Sequence, residues 1–239
     1  MSRRHAEAAI AAGRVKVNGQ VISAQGQLVE GADVVTVDGL ALPDRTARTV
    51  VILHKPFGTV TTRSDPEGRP TVMDLLPDEL KHLKPVGRLD YATEGLLVLT
   101  DDGDLALKLT HPRYETWKWY WAWTESEIAT ADLKRLTTRI SLTDGPGKFE
   151  RARFVRRDSR MFVYEVVASE GRNRFVRRMF EALRHPARRL KRVRVGHFTL
   201  DDLKPGQYRV LTEKELNNTL RYVTETKQVL WNPRANKSS

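Results

Sequence analysis

The stretch Val86-Gly-Arg-Leu-Asp-Tyr-Ala-Thr-Glu-Gly-Leu-Leu-Val-Leu-Thr100 sets a carboxylate, Asp90, three residues after a glycine and six before an unbroken apolar run. Leu96 to Leu99 read as a buried strand, and Asp101-Asp102-Gly103 is a turn signal that ends it. Asp90 therefore lies on a connection held by a packed element, where reactive groups tend to be found. Taken alone, a loop acid is more often a cap or a solvated charge, because short polar side chains satisfy turn backbones. The surrounding sequence decides between the two.

Outward from this stretch the chain divides by texture. Residues 1–39 read as a small module. Ser2 can cap a short helix through Ile10, with Ala6, Ala9 and Ile10 on one face and Gly13 ending it. Val15-Lys-Val-Asn-Gly-Gln-Val-Ile22 follows as alternating strands broken by an Asn18-Gly19 hairpin turn, and Asp33 to Val37 is another strand. Residues 40–49, with Pro43 and mixed charge, read as a linker. A second domain is expected over 50–223, with strands at 50–54, 96–100, 117–123, 162–168 and 192–198 and helices near 103–109, 130–138 and 174–184, an α+β pattern. Residues 224–239 have little apolar periodicity and read as a tail.

The 239 residues carry 41 Lys+Arg against 30 Asp+Glu, a formal charge of +11, which suits a polyanion such as nucleic acid. No apolar run is long enough to span a bilayer, and no secretory h-region opens the chain, so a soluble, cytoplasmic protein with no membrane partner is expected. The absence of cysteine excludes disulfides and thiolate chemistry, and the six histidines show no metal-ligand spacing; no metal is expected. No Gly-rich phosphate loop supports a nucleotide cofactor.

Ten Arg/Lys and one acid, Glu181, lie between Arg172 and Arg194. Within it, Val176, Met179, Phe180 and Leu183 share one helix face, while Arg174, Arg177, Arg178 and Glu181 lie toward the other. A charge run of this kind is ordinarily a solvated face. Gly171 just before the helix favours the functional reading, since it lets a polyanion approach the helix start closely. In Trp117-Lys-Trp-Tyr-Trp-Ala-Trp123, period-two alternation puts four tryptophans on one face and Lys118, Tyr120 and Ala122 on the other. Such a face is expected to lie under helices as core rather than to stack bases, which leaves Tyr120, beside Lys118, as the candidate to touch a base.

Gly87-Arg-Leu-Asp90 followed by Thr93-Glu-Gly-Leu-Leu-Val-Leu-Thr-Asp-Asp-Gly103 strongly resembles the catalytic motif of the RsuA-type pseudouridine synthases, which modify ribosomal RNA. Further matches are Lys55-Pro56 with Gly58, Asp65-Pro-x-Gly-Arg-Pro-Thr71, Leu109-Thr-His-Pro112, Lys118-x-Tyr120, Leu142-x-Asp-Gly145, Glu170-Gly-Arg-Asn-Arg-x-Val-Arg-Arg-Met-Phe180 and Leu203-Lys-Pro-Gly206. The resemblance covers roughly residues 50 to 216. The front module, with Ser2-Arg-Arg-x-Ala-Glu and Gly13-Arg-Val-x-Val-Asn-Gly19, resembles an S4 RNA-binding domain. Such domains usually begin with another helix, so a module truncated at its start or degenerate is expected.

The resemblance implies a mixed-sheet α+β catalytic domain behind an S4-like module, and an enzyme that isomerises a specific uridine of ribosomal RNA without a cofactor. It makes Asp90 the catalytic carboxylate; such a group can attack, or assist deprotonation next to, a carbon that gains oxocarbenium character. Arg177 is implied to pair with Asp90, and Tyr120 to stack on the target base or act near C5. Val176 is implied to wall the pocket, and Arg88 to occupy the space left by a flipped base. Phosphate contacts are expected from Lys118, Arg172, Arg174, Arg178, Arg188 and Arg189, and in the module from Arg3, Arg4 and Lys16. The partner would be ribosomal RNA, free or in an assembly intermediate, and the protein a monomer. Three positions depart from the family pattern: Phe175 stands where Gln is usual, His54 where Asn is common, and tryptophans flank Tyr120. The alternative is a non-catalytic RNA-binding or ribosome-assembly factor on the same scaffold; a DNA-binding protein has no helix-turn-helix or zinc-finger signature behind it.

Overall fold

The computed structural model describes residues 3–42 and 48–218. The expected cap at Ser2 and the expected tail at 224–239 lie outside the described residues, and of Arg3 only the backbone is described. The chain divides into two compact units, residues 1–47 and 48–239.

In the first unit, helix α1 (Arg3–Ala11) precedes β1 (Val15–Val17), β2 (Gln20–Val21), β3 (Val35–Val37) and β4 (Leu40–Ala41), which form a sheet in the order β2-β1-β3-β4. Val15 and Val17 are buried while Lys16 between them is exposed, the alternation of a half-buried strand. Asn18 and Gly19 both take positive φ, as a two-residue hairpin turn requires, and Asp38 and Gly39 do the same. That second turn makes Leu40–Ala41 a strand, so the sheet runs into the stretch expected to be linker.

The second unit is built on one sheet. Its strands are β5 (Val50–Lys55), β6 (Lys84–Pro85), β7 (Thr93–Thr100), β8 (Lys118–Thr124), β11 (Arg151–Asp158), β12 (Met161–Ala168), β13 (Arg189–Val195), β14 (Phe198–Thr199) and β15 (Tyr208–Val210); β9 (Ile140–Leu142) and β10 (Gly145–Gly147) form a separate hairpin. The main order is β11-β12-β8-β13-β7-β5-β15, with β6 on β7 and β14 on β13. The β13–β7 pair is parallel and the others antiparallel, so the sheet is mixed. Helices α2 (Gly103–Thr110), α3 (Thr130–Thr138) and α4 (Phe175–Ala182) pack on it.

Strands β5 and β7 are buried along their whole length, because apolar groups cover both faces. Val50, Ile52, Leu96 and Val98 meet Leu105 and Leu109 of α2. Val51, Leu53, Leu97 and Leu99 meet Val72, Met73, Leu76 and Leu83. A third cluster joins Tyr120, Ala122, Tyr164 and Val166 to Leu136 of α3 and to Met179 and Phe180 of α4. Asp102 caps α2, its carboxylate accepting from the backbone N–H of Asp104 at 2.9 Å and of Leu105 at 3.1 Å.

The tryptophan face departs from expectation. The three core clusters contain none of the four indoles. Instead the guanidinium carbons of Arg194, Arg189 and Arg156 sit 4.4, 4.6 and 5.1 Å from the ring centroids of Trp119, Trp123 and Trp121. Trp119 and Trp123 are buried under this arginine layer, 6% and 4% exposed. Cation–π stacking does here what a helix does elsewhere.

Where β13 pairs with β7, Gly95 has φ +110°, and a Cβ there would lie 2.1 Å from the Arg192 carbonyl oxygen. Gly95→Ala is therefore expected to cost about 3 kcal/mol or more of stability, since backbone cannot yield as a flexible side chain can. Gly103→Ala, at a helix start with nothing within 4 Å of the added carbon, should be close to neutral. Urea unfolding of the two variants checks the contrast; equal stabilities would mean the pairing at Gly95 is loose.

Candidate active site

Asp90 lies on the connection between β6 and β7 and lines a cavity of about 480 Å³. Its backbone is held from several sides. Thr61 Oγ1 donates to the Leu89 carbonyl at 2.9 Å and accepts from the Leu89 N–H at 3.3 Å. Thr93 N–H donates to Asp90 O, Gly58 N–H to Tyr91 O, and Arg177 Nη2 to Ala92 O at 2.9, 3.0 and 2.7 Å. Lys55 Nζ donates to Thr93 O at 2.8 Å, to Pro56 O at 3.0 Å and more weakly to Tyr91 O at 3.5 Å. Five consecutive carbonyls, from Leu89 to Thr93, thus accept hydrogen bonds.

Lys55 is fully buried at the end of β5. Burial pushes its ammonium down to about 8, while the nearby charges of Asp90 and Glu94 pull the other way. Arg177, 7% exposed, spends its second Nη group on the Ala187 carbonyl at 2.8 Å. Burial lowers its affinity for the proton as well, with Arg174 adding to this and Asp90 opposing it. The expected Asp90–Arg177 ion pair is not formed: the two groups feel each other's charge, but Arg177 holds backbone instead. Among the described residues, none forms a hydrogen bond or close ion pair with the Asp90 carboxylate.

Tyr120, Val176, Arg88, Lys118, Arg172 and Arg174 also line the cavity, with Arg192 and Leu190 from β13. Tyr120 and Val176 are buried apolar walls. Arg172 does more than face solvent: it donates to Asp144 Oδ1 and to the carbonyls of Gly145 and Pro146, tying the β9–β10 hairpin to the mouth. Its guanidinium also lies 5.0 Å from the Phe175 ring. Arg178 pairs with Asp144 at 2.7 Å, Arg188 with Glu125 at 2.9 Å and Arg189 with Glu94 at 2.5 Å; none of these three lines the cavity. Arg4 and Lys16, in the first unit, are exposed.

Lys118 Nζ donates to the Thr116 carbonyl at 2.9 Å, and burial, then the charge of Arg192, pushes it down to about 8. Arg192 is buried and donates through Nε to Leu96 O at 2.8 Å. Sequence gives Lys55 only as part of the Lys55-Pro56 motif, with no role, and does not point to Thr61 or Arg192 at all. A lysine ending the apolar run Val50–Leu53 was the available signal for the first; nothing local marks the other two.

The site is one acid, unbonded among the described residues, on a loop whose carbonyls are held, walled by an aromatic ring and ringed by cations. The model of the RNA pseudouridylate synthase family matches residues 49–182, and that of the S4 domain residues 2–35. The chain belongs to the RNA pseudouridylate synthase family. It is an enzyme that isomerises uridine to pseudouridine. An uncharacterized RNA pseudouridine synthase of Aquifex aeolicus (strain VF5) is 41% identical over 93% of this chain and 90% of its own length. The ribosomal large subunit pseudouridine synthase B of Bacillus subtilis (strain 168) is 39% identical over 90% and 88%. Its namesake in Pseudomonas aeruginosa is 43% identical over 90% of this chain and 58% of that protein. A crystal structure of a pseudouridylate synthase is 29% identical, with a TM-score of 0.66 and coverage of 92% and 94%.

Lys118, partly buried in β8 of the synthase, gives a pH dependence. Below about pH 8 both native and unfolded chains hold the Lys118 proton, and the native state bears its burial cost. Between about 8 and the ordinary value of 10.5 the unfolded chain binds one proton more, so the native state gains stability as pH rises. Relative to Lys118→Met, the wild type should gain up to about 1.4 kcal/mol per pH unit across that window. Urea unfolding of both at neutral and alkaline pH measures it; a constant difference would mean the ammonium is solvated.

Proposed function

We propose that the enzyme isomerises a specific uridine of large-subunit ribosomal RNA, with Asp90 as its catalytic carboxylate and the target base flipped into the cavity, and with no cofactor. The observation that carries this reading is the Asp90 carboxylate itself, unpaired among the described residues yet set on a loop whose carbonyls are all bonded. A carboxylate that only capped a turn would be spent on local N–H groups, as Asp102 is. The relatives named for the large ribosomal subunit supply the RNA.

The reaction breaks the bond between ribose C1′ and uracil N1 and forms one between C1′ and C5. C5 loses a proton and N1 gains one, so nothing is oxidised and no group is transferred. Asp90 either attacks the ribose carbon as it gains oxocarbenium character or assists deprotonation beside it. Tyr120, on the cavity wall, stacks on the base or serves as a proton acceptor near C5. Arg177 acts as a positioning residue: it holds the Ala92 carbonyl, two residues from the carboxylate. Extruding a uridine from folded RNA costs a few kcal/mol, which phosphate contacts to Arg88, Arg174 and their neighbours at the mouth offset.

Asp90→Asn should abolish pseudouridine formation while leaving the fold and RNA affinity close to wild type, because the amide keeps the shape and loses the charge. Pseudouridine mapping on ribosomal RNA after single-turnover incubation is the measurement. An active Asp90→Asn enzyme would sink the assignment, and full RNA binding without turnover by the wild type would favour the assembly-factor alternative. Arg177→Met should lower the single-turnover rate more than it lowers RNA affinity, whereas Arg178→Met, whose partner is Asp144, should leave that rate near wild type.

A further inference from the structure

The face of the sheet turned away from Tyr120 carries a charged layer that the isomerisation does not use. Cross-strand register puts Lys191 and Glu165 opposite Trp121, Arg189 opposite Trp123 and Arg153 opposite Glu165, all on the indole face. Three guanidiniums lie over the indoles, those of Arg156, Arg189 and Arg194. Two of them are pinned a second time through Nε: Arg189 to Glu94, and Arg194 to the Gly196 carbonyl at 2.6 Å. Among the described residues, the terminal Nη groups of Arg189 and Arg194 have no hydrogen-bond acceptor. Arg156 comes no nearer than 4.0 Å to its carboxylate neighbour Asp158.

We propose that this face is a second RNA contact, which holds backbone phosphates of an RNA segment other than the one entering the cavity. It rests on the reading of the enzyme as acting on RNA and deepens it. The cations outnumber the carboxylates Glu94, Asp158 and Glu165, so the face has charge left over for a polyanion. Arginines already fixed by a ring and by Nε lose little freedom on taking a phosphate through Nη, and a planar guanidinium suits that ligand. Alternate residues along a strand stand roughly 7 Å apart, which gives a row of cations to follow an extended backbone. The indoles lie beneath the arginines, so this is a phosphate surface and not a base-stacking platform. It binds without regard to sequence.

The test uses the full chain and a single-stranded oligoadenylate, which has no uridine and cannot be a substrate. Affinity is measured across a range of salt for the wild type, R156Q/R194Q and R156K/R194K. Loss of two phosphate contacts should flatten the slope of log affinity against log salt by about 1.4 in the glutamine pair, while the lysine pair stays near wild type. If the arginines merely shield the indoles, R156Q/R194Q will lower the unfolding temperature and keep the wild-type slope, which overturns the proposal. Should the pair fail to fold, Arg156→Gln alone, on the edge strand β11, decides: a slope flatter by about 0.7 supports the contact, and an unchanged one overturns it. Asp90→Asn should bind the probe like the wild type, so failure of the catalytic assignment and failure of this one are read separately.

Discussion

Two buried cations and the carbonyls they hold are what the rest of the site depends on. Lys55 and Arg177 arrive from opposite parts of the chain, β5 and α4, and converge on one loop. Burying a charge without a counter-charge is costly, and the usual remedy is a carboxylate partner. Here the partner is a set of backbone dipoles. A direct salt bridge to Asp90 would have compensated the cations too, but it would have occupied the oxygens that the proposed chemistry needs. Using carbonyls leaves the acid under a positive field with its lone pairs open.

Much of this was legible beforehand. β5, β7 and α2 announce themselves by apolar runs and an Asp-Asp-Gly turn, and α3 falls at 130–138 as its periodicity requires. The cavity residues Asp90, Tyr120, Val176 and Arg177 came from motif positions far apart in sequence that the fold brings together. β11 was missed because Arg-Ala-Arg-Phe-Val-Arg-Arg-Asp looks like a solvated charge run, and a bulge between Phe154 and Arg156 breaks its alternation. Arg178, Arg188 and Arg189, expected as phosphate contacts, lie outside the cavity and each stands beside an acid: sequence shows how many cations a segment has, and only geometry shows which already have acids. The Arg177 partner was misjudged likewise, since charge alone favours an ion pair where the loop's backbone made the stronger claim.

Phe175 shows how a departure from the family pattern is absorbed. The ring stacks edge-on to Phe149 at 5.6 Å, and it occupies space over Gly147, where any Cβ would lie 2.6 Å from it. A polar side chain at 175 would have faced this aromatic pocket unsatisfied. The ring thus packs between Phe149, Gly147 and the guanidinium of Arg172. Packing accounts for the residue, which also lines the cavity.

The immobilised loop also bears on how targets are chosen. With every carbonyl from Leu89 to Thr93 bonded, no ordering of the Asp90 segment has to accompany binding. On the proposed reading, the conformational work then falls almost entirely on the nucleic acid. The opening free energy of each uridine, set by its own stacking and pairing, enters the rate directly, and bulged or mismatched sites are favoured over paired ones. A rigid active site in this way turns the local melting tendency of the RNA into a selectivity filter.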